Sequence, residues 1–220
     1  MIILFDLDGT VIDSTEAIVE SFYFACDKYG FNRPAYEEIT ALIGFPLDVM
    51  FREVGVEEEK VWDFVSAYKE HYRIISKEKT FLLPGAKEAI IMASEFARLG
   101  VVTTKTARYS QELLEHFGIM HYFETLIGRE DVTHPKPHKE PIEKALLNMG
   151  ISKKKDVYII GDTILDLEAA KNANILAIGV LSGYGKEEEL KQYGFLVAKN
   201  VYEAVEVLKK RKNNTYELNC

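Results

Sequence analysis

The chain has 220 residues, enough for one large or two small domains, and its 47% hydrophobic and 28% charged content is ordinary for a soluble globular protein. Its formal net charge of −8 argues against a general nucleic-acid-binding protein, although an anionic substrate stays possible because the local field decides its binding. No stretch approaches the roughly 20 apolar residues of a membrane span, and Cys26 and Cys220 lack metal-site spacing, so we expect reduced thiols in a cytoplasmic protein.

Short apolar runs predict six β-strands. Amphipathic stretches between these strands and after the last one predict helices. The strands are expected at residues 2–5, 100–103, 125–127, 157–160, 175–180 and 195–198. The helices are expected at residues 86–99, 110–117, 141–149, 165–172 and 201–210. Strands that alternate with helices imply right-handed crossovers and a parallel sheet covered on both faces. The predicted fold class is therefore α/β, with a doubly wound, Rossmann-like parallel-sheet core.

The segment between the first two predicted strands is too long for one crossover. Residues 15–82 have helical patterns at 17–29, 36–43, 47–54 and 58–76, and a Leu-Pro-Gly turn follows at 83–85. We predict that these residues form an inserted α-helical domain, whereas residues 1–14 and 83–210 form the α/β core. The alternative is one enlarged α/β domain with extra helices. The basic, polar tail at residues 211–220 is expected to be disordered.

The first predicted strand ends on two carboxylates, Asp6 and Asp8, which are followed by Gly9. Strand side chains alternate between faces, so Asp6 and Asp8 would share a face if the strand continued. Two carboxylates this close repel each other unless a cation or a proton lies between them. The carboxyl end of a parallel strand is also where such sheets place their active sites. At this point an acidic turn without a catalytic role remains the alternative.

Four segments resemble, in order, the four motifs of the haloacid dehalogenase (HAD) superfamily. They are FDLDGTV at residues 5–11, VVTTK at 101–105, KPH at 136–138 and IGDTILD at 160–166. The resemblance extends over roughly residues 1–208 and is strongest to the branch of phosphoglycolate phosphatases and pyrophosphatases. It implies a phosphatase whose helical cap, residues 15–82, closes over the active site. Lys139 departs from the family pattern, in which proline is usual, and this departure can alter the loop around Lys136.

The resemblance implies that Asp6 is the nucleophile. A carboxylate can attack phosphorus and form an aspartyl-phosphate, which divides the hydrolysis into two easier steps. Because the substrate phosphate is also negative, we expect Mg²⁺ between the two groups. Asp6 and Asp162, at the ends of two strands, can ligate this ion, and the resemblance adds the backbone carbonyl of Asp8. Taken alone, Asp162 could instead be a helix N-cap.

Five further residues receive expected roles. Asp8 is the candidate general acid and base, and repulsion from Asp6 favours the protonated form that the first step needs. By resemblance, Thr103 contributes a hydroxyl to phosphate binding and Thr104 contributes its amide. Lys136 would neutralise phosphate and aspartate charge. Asp166, one helical turn after Asp162, is expected to support the metal site from behind the ligands.

The leading functional hypothesis is a magnesium-dependent phosphatase that hydrolyses a phosphoglycolate-like metabolite or pyrophosphate through an aspartyl-phosphate. The alternatives are a sugar phosphomutase of the same fold, against which Thr10 argues by resemblance, and a receiver-like phosphate-accepting signalling module. Gly44, in the interrupted stretch 43–47, is the predicted substrate-facing residue of the cap. The expected partner is a small phosphorylated substrate, with no nucleic acid or membrane, and the protein would be a monomer or a homodimer.

Overall fold

A computed structural model describes the backbone of residues 1–217 and the side chains of residues 1–214. It contains eight strands in this region: β1 (Ile2–Phe5), β2 (Ile12–Asp13), β3 (Phe81–Leu82), β4 (Arg98–Val102), β5 (Phe123–Ile127), β6 (Val157–Gly161), β7 (Leu176–Val180) and β8 (Leu196–Ala198). The α-helices of the same region are α1 (Thr15–Lys28), α2 (Tyr36–Thr40), α3 (Leu47–Glu53), α4 (Val61–Ile75), α5 (Ala86–Ser94), α6 (Ala107–His116), α7 (Glu140–Asn148), α8 (Ile164–Ala173), α9 (Glu187–Lys191) and α10 (Val201–Glu217).

The main sheet has six parallel strands in the order β5-β4-β1-β6-β7-β8. If only these six strands are numbered along the chain, the order is 3-2-1-4-5-6. This is the doubly wound arrangement, so the predicted α/β fold class is confirmed. The strand order reverses between β1 and β6, and sheets of this type bind ligands at the carboxyl ends of the strands beside such a reversal.

The register of the central strands brings their carboxyl ends level with one another. Phe5 of β1 pairs with Val101 of β4 and with Ile160 of β6. The residues that follow these strands, among them Asp6, therefore leave the sheet along one edge. Thr103 comes two residues after Val101, and Asp162 comes two residues after Ile160, so both lie at the same edge of the sheet as Asp6. Both are buried.

The two faces of the sheet are packed by separate apolar clusters because side chains along a strand alternate in direction. Ile3 and Phe5 of β1 belong to the cluster that contains residues of α5 and α10, whereas Ile2 and Leu4 belong to the cluster that contains residues of α7 and α8. Burial on both faces explains why β1 reads as a continuous apolar run rather than an alternating one.

Helices α1 to α4, which together we call the helical insertion, lie along the chain between β2 and β3 and carry their own apolar cluster. Phe22 of α1 stacks on Phe51 of α3 with ring centroids 4.1 Å apart, and Phe64 of α4 meets Phe51 edge to face. The chain leaves the core through β2 and returns through β3, which pair antiparallel. Sequence patterns do not reveal this connection, because a strand of two residues is too short for alternation to be recognised.

Two further segments differ from the sequence-based expectations. The helix expected at residues 86–99 ends at Ser94, and β4 begins at Arg98. Helix α10 continues to Glu217, so residues 211–217 of the expected disordered tail are helical, and residues 218–220 with Cys220 lie outside the described residues.

Cys26 is a buried free thiol. Within the described part of the chain, no helix combines the length and apolar character needed to cross a membrane.

Candidate active site

Three carboxylates and one ammonium meet at the carboxyl edge of β1 and β6. Oxygens of Asp6, Asp162 and Asp166 lie within 4.8 Å of one another. The Nζ atom of Lys136 lies 2.9 Å from Asp6 Oδ1 and 2.6 Å from Asp166 Oδ1. All four side chains are buried, with relative exposures of 4% or less. The structure thus brings together four residues that sequence analysis selects from three separate segments.

The Asp6 carboxylate is the least satisfied group in this cluster. Its Oδ1 atom accepts no hydrogen bond of normal geometry from any described residue, since the Lys136 ammonium is close but not aligned as a donor. Burial raises the pKa of Asp6 to about 7, and the neighbouring Asp166 and Asp8 carboxylates add to the rise while Lys136 opposes it. A buried anionic oxygen with a free acceptor position suits a cation.

Asp162 is held by two hydrogen bonds, one to each oxygen. The hydroxyl of Thr10 donates to Oδ1 at 2.9 Å, and the backbone N–H of Tyr184 donates to Oδ2 at 2.9 Å. Gly183 allows this approach, because a Cβ atom at that position would overlap the carboxylate. Burial raises the pKa of Asp162 well above its usual value, and the charges of Asp6 and Asp166 add to this effect. The position of the carboxylate is therefore fixed before any ion binds.

The helix N-cap interpretation of Asp162 is wrong, because the N-cap of α8 is Thr163. The N–H and the hydroxyl of Thr163 both donate to Asp166 Oδ2, at 3.1 and 2.9 Å. The other oxygen of Asp166 accepts from Lys136, which also donates to the Val102 carbonyl at 3.1 Å. Both oxygens of Asp166 are thus engaged, and the residue orients Lys136.

The ammonium of Lys136 is stabilised in its charged form. Burial lowers the pKa of this group, but the carboxylates of Asp166 and Asp6 outweigh the burial and raise the pKa above its usual value. Lys136 therefore provides a permanent positive charge beside Asp6. Its neighbours Lys139 and His138 lie in the partly or fully exposed loop before α7.

Asp8 has a partner that sequence analysis misses. Lys105 Nζ donates to both oxygens of Asp8, at 3.1 and 3.2 Å, and the hydroxyl of Ser14 donates to Oδ1. The sequence-based expectation considered only the repulsion from Asp6, whereas the structure gives Asp8 a cationic partner. The Asp8 carboxylate, with a smaller contribution from the neighbouring Tyr72 side chain, raises the pKa of Lys105 although burial alone would lower it. A signal was available, since Lys105 directly follows the two threonines at the end of β4.

Thr103 and Thr104 follow β4 and face different neighbours. Thr103 is buried, and its hydroxyl accepts a hydrogen bond from the N–H of Lys105 at 3.2 Å. The hydroxyl of Thr104 donates to the Gly44 carbonyl in the helical insertion at 2.8 Å. Gly44 has a φ of +111°, a conformation that side chains rarely adopt. The interrupted stretch around Gly44 thus reaches the core beside the two threonines.

A cavity of about 210 Å³ lies between the core and the helical insertion. Asp8, Thr104 and Lys105 line it from the core, and Gly44 lines it from the insertion. Aromatic and aliphatic side chains provide much of the remaining wall: Ile18, Ile43, Phe45, Leu47, Met50, Trp62, Val65, Tyr68, Tyr72 and Tyr109. Sequence analysis misses this wall. A signal lies in α4, where positions 65, 68, 69 and 72 share one face at helical spacing and all line the cavity.

Known proteins resemble this chain over most of its length. The family model described as haloacid dehalogenase-like hydrolase matches residues 3–180. A 5'-nucleotidase of Pseudomonas aeruginosa is 31% identical over 193 residues, which cover 87% of each chain. Pyrophosphatase PpaX of Bacillus velezensis is 34% identical over 185 residues, which cover 81% of this chain and 82% of the relative. A solved structure of a haloacid dehalogenase-like family hydrolase from Streptococcus pneumoniae superposes with a TM-score of 0.84 at 25% identity and covers 94% of this chain and 97% of that one.

Proposed function

The chain belongs to the haloacid dehalogenase-like hydrolases, and we propose that it is a magnesium-dependent phosphatase that acts through an aspartyl-phosphate. The observation that carries this proposal is the buried Asp6 carboxylate, whose Oδ1 atom accepts no hydrogen bond of normal geometry from any described residue. This carboxylate lies beside Lys136 and Asp162, where the strand order reverses between β1 and β6. Relatives named 5'-nucleotidase and pyrophosphatase support a small phosphorylated substrate, either a phosphomonoester or pyrophosphate.

Asp6, Asp162 and the backbone carbonyl of Asp8 are the proposed magnesium ligands. They fit the ion because Mg²⁺ prefers hard oxygen donors, and because Oδ1 of Asp6 is buried without a hydrogen bond of normal geometry from any described residue, although Lys136 lies beside it. Asp166 is assigned a supporting role, since one of its oxygens accepts from the Lys136 ammonium and the other accepts two hydrogen bonds from Thr163, whereas each oxygen of Asp162 accepts a single bond from an uncharged donor. Bound magnesium would supply the positive charge that allows a carboxylate to approach a phosphate.

Asp6 is proposed to attack phosphorus, so that a bond forms between its oxygen and phosphorus while the bond to the leaving oxygen breaks. Asp8 gives a proton to the leaving oxygen and later takes one from the water that hydrolyses the aspartyl-phosphate. Lys136 keeps a positive charge beside Asp6 throughout. The hydroxyl of Thr103 and the amide of Thr104, which follow β4 at the same edge of the sheet, are the proposed contacts of the phosphate oxygens.

The ion pair between Asp8 and Lys105 requires an additional step in this proposal. Both oxygens of Asp8 accept from the Lys105 ammonium, so this pair must loosen before Asp8 can exchange a proton with the substrate. A bound phosphate offers Lys105 a second anion, which weakens its interaction with Asp8 and frees the Asp8 carboxylate for proton transfer. Lys105 is therefore proposed to bind the substrate phosphate and, by doing so, to release Asp8.

We also assign residues 15–82 to a cap and residues 1–14 and 83–210 to the core. The insertion has its own apolar cluster and joins the core through the short β2–β3 pair. Polar contacts between the two parts include Thr104 with the Gly44 carbonyl and Thr15 with Tyr184, whose hydroxyl oxygens lie 2.8 Å apart. Lids of this kind exclude water from a reaction and commonly control its rate.

Phosphate release from a panel of phosphomonoesters and pyrophosphate, with and without Mg²⁺, tests the proposal. We expect magnesium-dependent multiple turnover that Asp6→Asn abolishes with its circular dichroism spectrum unchanged. Asp13→Asn is the matched control, because Asp13 is an exposed carboxylate at the end of β2 that bonds only locally to Thr15. An Asp6→Asn variant that keeps a tenth of the activity would refute the proposed nucleophile. Isomerisation without release would indicate a phosphomutase, and a single turnover would indicate a receiver-like module.

A further inference from the structure

The cavity beside Asp8 has the wrong chemistry for a small anionic leaving group. We propose that it selects phosphomonoesters whose leaving group carries an uncharged aromatic ring, in preference to phosphoglycolate and pyrophosphate. This inference rests on the proposed phosphatase function and specifies its substrate class. It is argued from where the leaving group must lie, what lines that space and which charges are available there.

The position of the leaving group follows from the role of Asp8. A general acid must lie within hydrogen-bond reach of the oxygen that departs. Asp8 lines the cavity, together with Thr104 and Lys105 from the same edge of the core. A phosphoryl group held at Asp6 therefore directs the rest of the substrate past Asp8 and into the cavity, towards α4.

The wall of the cavity is mostly apolar. Of its nineteen lining residues, five are aromatic and five are aliphatic. Such a wall gains free energy when it covers an apolar ring, at about 25 cal/mol for each Å² removed from water. Aromatic side chains add favourable edge and face contacts to a planar ring. Tyr68, Tyr72 and Tyr109 stand together here, and the rings of Tyr68 and Tyr72 are stacked with centroids 5.5 Å apart.

The charges in the wall offer no excess of positive charge. The described lining residues include three basic side chains, Lys69, Lys105 and Arg129, and three acidic ones, Asp8, Asp48 and Glu130. Lys105 is already paired with Asp8, and Arg129 donates to the Val132 carbonyl at 3.2 Å. Because equal numbers of basic and acidic side chains line the cavity, the carboxylate of phosphoglycolate or the second phosphate of pyrophosphate would leave water for a wall with no excess of positive charge, which is costly.

One polar group in the wall has no partner. The hydroxyl of Tyr72 is buried and makes no hydrogen bond of normal geometry with any described residue, although the Lys105 ammonium lies 4.6 Å from the centre of its ring. An unsatisfied buried hydroxyl is unfavourable, so a substrate atom that bonds to it gains affinity. Tyr72 is the proposed contact for a polar atom on the leaving group, as a nucleoside carries and a simple benzyl group does not.

The preference is measured as kcat/KM for benzyl phosphate, ethyl phosphate, phosphoglycolate and pyrophosphate. Benzyl and ethyl phosphate both release an alkyl alcohol, so a difference between them reports the ring rather than the ease of bond breaking. We expect benzyl phosphate to exceed ethyl phosphate and phosphoglycolate by about 10-fold or more, the range that a few buried carbons provide. Equal or higher values for phosphoglycolate or pyrophosphate would overturn the inference. Absence of phosphate release from all four would instead overturn the proposed function.

A nucleoside 5'-monophosphate separates the two possible kinds of aromatic leaving group. If the leaving group has polar atoms, Tyr72→Phe should lower kcat/KM for the nucleotide several-fold and leave benzyl phosphate unchanged. If the nucleotide is already a poorer substrate than benzyl phosphate in the wild type, the leaving group is an apolar ring. Both results support an aromatic leaving group, whereas a Tyr72→Phe variant that hydrolyses phosphoglycolate best would contradict it.

A charge placed in the cavity should reverse the preference. Leu47 is half-buried, lines the cavity and begins α3, so Leu47→Arg can introduce a cation with little disturbance of the core. We expect the ratio of kcat/KM for phosphoglycolate to that for benzyl phosphate to rise at least tenfold in Leu47→Arg. Leu47→Gln is the matched control, since it adds polarity without charge and should leave the ratio nearly unchanged. A ratio that shifts equally in both variants, or in neither, would show that charge in this cavity does not set specificity.

Discussion

At the scale of single residues, the active-site cluster gathers more buried negative charge than its one lysine can balance, as the proposed cation would require. Asp6, Asp162 and Asp166 are all buried, and one lysine is shared between two of them. Buried charges are stable only when each is paired and hydrogen-bonded, and Asp6 keeps an oxygen without a hydrogen bond among the described residues. The metal-free site therefore costs free energy, which a bound cation would recover.

This cost predicts a pH dependence of stability. The pKa of Asp6 is raised from 3.8 to about 7 in the folded protein, so the folded state binds more protons than the unfolded state between these values. The free energy of unfolding of the metal-free protein should thus fall as the pH rises through this window, by up to about 1.4 kcal/mol per pH unit for one proton.

Urea unfolding in the presence of a chelator between pH 5 and pH 8 measures this dependence. Asp6→Asn removes the titrating group and should give a shallower decline than the wild type. A wild-type stability that rises over this range, or one that declines in parallel with Asp6→Asn, would contradict the assignment.

Thr10 gives a second prediction at this scale. Its buried hydroxyl fixes Asp162 Oδ1, so Thr10→Val should leave the carboxylate free to turn and weaken magnesium binding about 10- to 100-fold, as the loss of such supporting hydrogen bonds commonly does. Thr10→Ser keeps the hydroxyl and serves as the control. Isothermal titration calorimetry with Mg²⁺ decides the matter, and equal affinities for the valine and serine variants would remove Thr10 from this role.

At the scale of elements, the strands of the core were predictable and the connections were not. Strands β1 and β6 are buried along their whole length and the other four strands of the main sheet contain short apolar runs, so each of the six stands out in the sequence, and β1 has the predicted bounds, residues 2–5. The β2–β3 pair and the helix α9 were missed because two strand residues, or little more than one helical turn, are too few for a repeating pattern to be recognised.

The active-site carboxylates could be found from the sequence because each directly follows a strand or its first turn. Lys105 and Tyr72 were missed although Lys105 follows the two threonines and Tyr72 shares a helix face with other wall residues, because these local signals do not reveal neighbours from distant segments. Lys105 contacts Asp8 across 97 positions of the chain, and Thr104 contacts Gly44 across 60. Only the packed arrangement of the insertion against the core brings such pairs together.

Gly44 provides a prediction at the scale of elements. A Cβ atom there would lie 3.1 Å from Thr163 Cγ2, at the start of α8, whereas one at Gly55 would meet nothing within 4 Å. Both glycines have positive φ, +111° and +92°, so Gly44→Ala and Gly55→Ala should each lose about 1 kcal/mol or more of stability. Only Gly44→Ala should also change the relative kcat/KM across the ester panel.

Gly55→Ala is therefore the control for strain alone. Thermal unfolding should show that the two variants are destabilised by similar amounts. Any difference between their kcat/KM values across the ester panel then reports the contact of residue 44 with the core. Identical substrate profiles for both variants would remove the stretch around Gly44 from substrate selection.

At the scale of the whole molecule, the two parts divide the chemistry between them. The edge of the sheet supplies charge and the proposed nucleophile, which suit any phosphoryl group. The helical insertion supplies four of the five aromatic residues in the cavity wall, which meets the core at Asp8, Thr104, Lys105 and the fifth aromatic residue, Tyr109 of α6. Substrate choice would then depend on residues that lie outside all four sequence motifs, which explains why those motifs indicate a reaction but not a substrate.

The central claim is that Asp6 forms an aspartyl-phosphate, and trapping that species tests it most directly. Asp8→Asn should slow hydrolysis of the intermediate, whereas an aryl ester such as para-nitrophenyl phosphate needs little acid help in the first step. The variant, mixed with this ester and Mg²⁺ and quenched in acid, should carry one phosphoryl group on the peptide that contains Asp6. Ester turnover with the phosphoryl group on another residue, or on none, would contradict the account.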